Sequence, residues 1–175
     1  MFNSKVSNSY QGSGRFWRRC ALGLAMVAGG FSAPALAEDM PPADAAIVDQ
    51  QLPGARILDG GIRFVERKQG KGPRILKGDQ VIALYAGRLL NGKVFNQKRS
   101  LDHSFHFEVG ATPRQIIRGW ERAILLMQEG GSYTVAIPAE LAYRDKGRAG
   151  QVPPGATVIF DIDIIEVERV APPRT

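Results

Sequence analysis

The chain has 175 residues, 44% of them hydrophobic and 23% charged, with one cysteine and a formal net charge of +6. That length carries one domain with a real core, and a lone cysteine excludes an internal disulfide and a zinc–thiolate site. The basic balance points to nucleic acid only if the cations are striped along the folded part, and they are not.

The first segment reads as a leader. Residues 1–14 are polar, Arg15, Arg18 and Arg19 form a positive cluster, and Cys20 to Phe31 is apolar and uncharged. Ala35-Leu36-Ala37 then offers a small-x-small cleavage site before Glu38. This is the layout of a secretory signal peptide over residues 1–37, which predicts a periplasmic or secreted protein. The apolar run is shorter than the roughly 20 residues of a membrane span, so no stable membrane insertion is expected after cleavage. An uncleaved N-terminal anchor is the alternative. Arg18-Arg19 allows twin-arginine export, but Trp17 before the pair and Cys20-Ala21 after it fit poorly, and the Sec route is favoured. The leader holds four cations and no acid, which leaves +2 to the remaining 138 residues. Those cations are scattered among acids, so no nucleic-acid partner is expected. The cysteine also leaves with the leader.

Residues 38–58 contain Pro41-Pro42 and little periodicity, and are expected to be a flexible N-terminal arm. The arm is too short for a large dimerisation domain, which favours a monomer. Ile62 to Val65 is a short strand candidate, and residues 69–73 form a Gly- and Pro-rich loop. Gln80 to Leu90 is a β-rich run. Asn91-Gly92 signals a hairpin, and Val94-Phe95 begins the return strand. Phe105, Phe107 and Val109 alternate on one strand face. Thr112, Pro113 and Gln115 read as N-cap, first helical residue and capping-box partner of a helix. Trp120, Ala123, Ile124 and Met127 follow as its apolar stripe, and Gly130-Gly131 ends it. Tyr133 to Pro138 is a strand, residues 139–155 are a long loop, and Thr157 to Val167 is a closing strand. The sum is an α+β domain over residues 59–170, an antiparallel sheet covering one short helix, with residues 171–175 as a C-terminal tail.

Conventional catalytic groups are scarce. His103 and His106 share a segment with Asp102, but without a second acidic partner at helical spacing they predict no metal site. Gly70-Lys71-Gly72 lacks the rest of a phosphate-binding loop, so no cofactor is expected. Asp161 and Asp163 lie on one face of a strand. A glycosidase-like pair is conceivable there, and an exposed face of mixed charge fits better. What remains is aromatic: Tyr85, Phe95, Phe105, Phe107, Trp120, Tyr143 and Phe160 come from separate segments. They make either a thick core or a lined apolar pocket, and a lone Trp in such a place ordinarily fills a core.

Four blocks in order, ALYAGRLLNGKVF at 83–95, IIRGW at 116–120, AY at 142–143 and VPPGATVIFDI at 152–162, resemble the FKBP-type peptidyl-prolyl isomerases. The resemblance spans about residues 60–169. It implies a twisted antiparallel half-barrel wrapped on one short helix, and an enzyme that isomerises X–Pro bonds and assists folding of exported proteins. By the same resemblance Trp120 is the floor of a proline pocket, and Tyr85, Phe95, Phe105 and Phe160 are wall aromatics. Ile116 and Ile117 are the apolar pair before the Trp, the second offering its backbone N–H to a bound carbonyl. Tyr143 offers its hydroxyl to that carbonyl, and Val152 is an apolar residue of the loop above. Implied partners are unfolded or proline-containing polypeptides and macrolide inhibitors. Asn96, directly after Phe95, is a further expected site residue, and the chain departs from the family there, where Asn96 replaces a frequent Asp, where Arg144 follows Tyr143 in place of Gly, and where Arg148 and Gln151 occupy the loop tip. Two extra residues lie between Gly110 and Gly119. These departures keep open a second reading, a catalytically weak chaperone or proline-binding module.

Overall fold

The computed structural model describes residues 39–169, and the expected signal peptide and C-terminal tail lie outside them. In chain order these residues form α1 (Pro42–Gln51), β1 (Arg56–Ile57), β2 (Arg63–Lys68), β3 (Gln80–Leu89), β4 (Val94–Lys98), β5 (Phe105–Glu108), α2 (Arg118–Ile124), β6 (Ser132–Ile137) and β7 (Val158–Glu168). The sheet is antiparallel, in the order β1-β2-β6-β7-β3-β4, with β5 also paired to β3. The domain is α+β, as the alternating strands and single amphipathic stripe predict.

β3 and β7, of ten and eleven residues, are the long central pair, both rich in β-branched and aliphatic residues. They run in register from Leu89 opposite Val158 to Gln80 opposite Glu168, with a slip between Ile82 and Ala83. The far edge of β3 is shared. Its first half pairs with β5, Ala83 facing Phe105, and its second half with β4, Tyr85 facing Lys98. The inner face carries Val81, Ala83, Val135, Ile162 and Ile164, packed on Trp120, Ala123, Ile124 and Met127. Each such buried aliphatic side chain contributes about 1.5–3 kcal/mol of transfer free energy. α2 comes this close because residue 119 is Gly: a Cβ there would collide with the Ile137 side chain on β6.

The N-terminal segment corrects one expectation. The expected flexible arm at 38–58 is, from residue 39 on, an ordered segment: α1 spans Pro42–Gln51 and docks on the outer face of the sheet. Met40, Val48 and Leu52 are buried there against Ala136 and Ile159, with Val65 and Leu90 alongside. Polar ties hold it in place. Asp44 accepts from Thr157 Oγ1 at 2.6 Å, Asp49 pairs with Arg63 at 2.8 Å, and Gln51 donates to the Leu90 carbonyl at 2.9 Å. The sheet thus carries a second helix, and the expected domain boundary at residue 58 or 59 has no structural counterpart.

The start of α2 is a second correction. The helix begins at Arg118 with Ile117 as its N-cap, not at Thr112-Pro113. The Thr112–Pro113 bond is cis, and the Gln115 side-chain oxygen accepts the Glu108 backbone N–H at 2.9 Å in place of closing a capping box. The side chain ties the loop to β5, and residues 112–117 form a bent loop that leads into the helix. The helix also stops at Ile124, and a turn carries the chain on to Gly130-Gly131.

Candidate active site

A cleft of about 400 Å³ opens between the inner face of the sheet and the segment entering α2, lined by Tyr85, Asn96, Phe105, Arg114, Gln115, Ile116, Ile117, Trp120, Tyr143, Arg148 and Phe160. That volume is within the range of small-ligand sites. Trp120 forms its floor. The indole is buried and meets Tyr85 at 5.5 Å and 85°, and Phe160 at 5.3 Å and 87°, between ring centroids and planes. Phe105 and Phe107 meet it edge-on as well. Edge-on contacts between rings add about 0.5–1.5 kcal/mol each beyond area burial, so the floor is held rigidly. Among the described residues, Trp120 Nε1 is the buried side-chain nitrogen that finds no hydrogen-bond partner.

Strand geometry explains how adjacent residues Phe95 and Asn96 both turn to this side of the sheet, Asn96 lining the cleft and Phe95 packing behind its wall. Neighbours on a strand normally face opposite ways. Here the register of β3 and β4 slips between Gly87 and Arg88, a bulge that re-aims the side chains. Gly87 supplies the room: a Cβ there would lie 2.7 Å from both Phe95 Cζ and Phe160 Cε1.

Eight of the ten residues expected at the site line the cleft: Tyr85, Asn96, Phe105, Ile116, Ile117, Trp120, Tyr143 and Phe160. Phe95 and Val152 do not. Phe95 is buried behind the wall, edge-on to Phe160 at 5.7 Å, and Val152 is buried in a neighbouring hollow. Arg114 and Gln115 line the cleft without a sequence signal, because the capping-box pattern claims them for a helix. Their place directly before Ile116-Ile117 is the clue. Arg148, seen in the sequence only as a charge at a loop tip, reaches into the same cleft.

The electrostatics favour neutral groups. Burial raises the pKa of Tyr143, and Arg148 beside it opposes that rise without cancelling it. Burial also raises Tyr85, with Tyr143 adding to the rise and Arg148 opposing. Both phenols therefore stay protonated and available as donors at neutral pH. Arg114 pairs with Glu121, outside the cleft lining. The Ile117 N–H belongs to the donors that a helix start leaves without an intrahelical acceptor. His103 and His106 lie elsewhere on exposed backbone, His106 Nε2 being 2.9 Å from Ser104 Oγ. Asp161 and Asp163 accept hydrogen bonds from Thr134 and Ser132 on the outer face.

The sequence pattern described as FKBP-type peptidyl-prolyl cis-trans isomerase matches residues 72–165, and these include nearly every strand and wall of this cleft. The chain belongs to the FKBP-type peptidyl-prolyl cis-trans isomerase family. Relatives of this FKBP chain include FK506-binding protein 4 of Dictyostelium discoideum, 36% identical over 70% of this chain and 33% of that protein. A probable FKBP-type peptidyl-prolyl cis-trans isomerase, FkpA, of Neisseria meningitidis is 33% identical over 65% of this chain and 40% of its own length. The chain thus spans well under half the length of these two relatives. Among solved structures, a peptidyl-prolyl cis-trans isomerase from Pseudomonas syringae superposes with a TM-score of 0.60 at 28% identity, covering 75% of this chain and 98% of that one. The crystal structure of AtFKBP13 superposes with a TM-score of 0.57 at 35% identity, over 61% of this chain and 92% of that one.

Proposed function

We propose that this FKBP-type chain catalyses cis/trans isomerisation of X–Pro bonds in other polypeptides. The observation that carries the proposal is an apolar cleft with an indole floor, a neutral phenol at its wall, and no carboxylate in its lining. Amide resonance resists rotation by about 18–20 kcal/mol. The twisted amide loses that resonance and part of its charge separation, so an aromatic cleft binds it better, relative to water, than it binds the planar form. No proton transfer or nucleophile is needed. In this mechanism the proline ring rests on Trp120 between Tyr85, Phe105 and Phe160. The Tyr143 hydroxyl and Ile117 N–H hold the preceding carbonyl, and Phe95 and Val152 support the walls. Each tenfold of rate needs about 1.4 kcal/mol of such differential binding. The test is an X–Pro peptide exchange assay on the purified chain. Acceleration that drops at least tenfold in Trp120→Leu supports the reading, and a rate equal to the spontaneous one refutes it.

Asn96 favours a second reading. An amide still accepts a hydrogen bond through one oxygen but lacks the charge of a carboxylate, and the cleft then binds proline segments as a weakly catalytic chaperone. Saturable binding of an unfolded chain without rate acceleration would select it. The leader pattern of residues 1–37 supports a periplasmic location, as does a 32% identical relative named outer membrane protein MIP in Legionella longbeachae. Among the described residues no helix is long and apolar enough to cross a membrane. A periplasmic fraction containing a form that starts at Glu38, read by intact mass, tests the location. The family name of the Dictyostelium relative makes FK506 the natural macrolide for a competition experiment at this cleft.

A further inference from the structure

Arg148 is a wall shared by two hollows. One side is the proline cleft, and the other is a hollow of about 280 Å³ whose lining includes Leu89, Lys93, Lys146 and Val152. We propose that this second hollow is a subsite for an acidic side chain flanking the proline, so that X–Pro segments carrying Asp or Glu are the preferred substrates. The proposal rests on the isomerase reading above.

Charge is the first argument. Lys93, Lys146 and Arg148 are exposed, and among the described residues none of them is in an ion pair. No Asp or Glu lines either hollow, and Asn96 stands in the cleft as a neutral amide. Asp145 is exposed and lies outside both linings. At the opposite end of the cleft Arg114 is already neutralised by Glu121. The uncompensated positive charge is therefore on the Arg148 side alone.

Geometry is the second argument. The backbones that carry these cations are pinned. Arg148 and Val152 exchange two backbone hydrogen bonds, of 2.8 and 2.9 Å. Gly147 permits that turn, since its φ is +60° and a Cβ would strike the Val152 carbonyl. Lys93 is fixed in the β3–β4 hairpin, its carbonyl accepting the Leu89 N–H at 2.9 Å and its own N–H reaching Asn91 Oδ1 at 3.0 Å. Leu89 and Val152 are buried and give the hollow an apolar base. The stem of a Glu fits on that base with its carboxylate among the three cations. An extended chain advances about 3.3–3.6 Å per residue, so hollows that share a wall residue are one or two residues apart along a bound peptide.

The test is kcat/KM of the full chain on X–Pro peptides that differ only by Glu, Gln or Lys, placed in turn at each of the two positions on either side of proline. At one position the Glu peptide should exceed the Lys peptide by roughly tenfold in dilute buffer, and by under about twofold at 1 M salt, where screening is nearly complete. Lys93→Gln with Lys146→Gln should collapse the ratio, and Lys146→Glu should invert it. Equal rates for all three peptides at every position would overturn the subsite while leaving the isomerase reading intact. A ratio that survives in the double variant would overturn its assignment to this hollow. If no peptide, Gln included, exceeds its spontaneous rate, both readings fall.

Discussion

Phe95 meets Tyr143 edge-on, with ring centroids 5.9 Å apart and planes at 90°. Phe95 itself is buried and does not line the cleft, whereas Tyr143 does. Support of one ring by the other makes Phe95 a positioning residue. Phe95→Ala should cost about 3–5 kcal/mol of stability, because the ring leaves a cavity that the rigid sheet fills poorly. Phe95→Leu should keep the fold and lower kcat/KM several-fold through a looser Tyr143. Urea unfolding and peptide exchange on the same samples separate the two effects; an unchanged kcat/KM in the Leu variant would reduce Phe95 to a space filler.

The two cleft phenols carry a pH signature. Burial raises both Tyr85 and Tyr143 above the ordinary 10.0. Between that value and the higher folded one, the folded chain holds protons that the unfolded chain has released. Their contribution to stability is therefore complete below about pH 10 and is lost as pH rises through the folded values. Isomerase activity should be flat across about pH 6–9, where neither phenol ionises. Tyr143→Phe should lower kcat/KM by about tenfold, the worth of one oriented donor, without bending that profile.

Arg144 has φ +53°, the left-handed region that disfavours a side chain. The cost for a non-glycine residue is about 1–2 kcal/mol, offset in part by the greater freedom of glycine in the unfolded chain. Arg144→Gly should therefore stabilise the protein by about 0.5–1 kcal/mol and raise Tm by about 2–4 °C in a thermal scan. The exposed 3.3 Å bond from Arg144 Nε to the Glu140 carbonyl is a small loss beside that gain.

Leu52 lies just past α1, almost fully buried. Leu52→Ala should destabilise the domain by about 2–5 kcal/mol, a magnitude no frayed arm could produce. Chemical denaturation should show one cooperative transition shifted to lower denaturant. Two transitions would mean that α1 melts by itself.

Much of the architecture was legible in the sequence. The β-rich run from Gln80, the alternation in Thr157–Val167, the Asn91-Gly92 turn, and the stripe Trp120, Ala123, Ile124, Met127 are local patterns, and β3, β7, the hairpin and α2 follow them. Docking of α1 was less visible, since its own helical face is weakly patterned, with Val48 its one buried side chain. The clue lay on the partner instead. Ile159, Ala136 and Val65 are apolar at positions that face away from the main core, and a sheet face bearing them requires a cover. The start of α2 misled because Thr112, Pro113 and Gln115 fit a capping box in type and spacing. The Gln115 side chain found a better partner in the Glu108 N–H.

The sequence by itself determined the strands that follow residue 60, the presence of the principal helix and the family, because hydrophobic period, turn chemistry and four ordered blocks are all readable along one dimension. It also supplied eight of the residues that line the cleft. Only the tertiary structure decided that Phe95 and Val152 stand behind that lining, that Arg114 and Gln115 belong to it, and that Arg148 divides it from a hollow of free cations. Those outcomes turn on a bulge at Gly87, a tight turn at Gly147 and the approach of segments dozens of residues apart. Such relations depend on packing in three dimensions, which spacing along the chain does not encode.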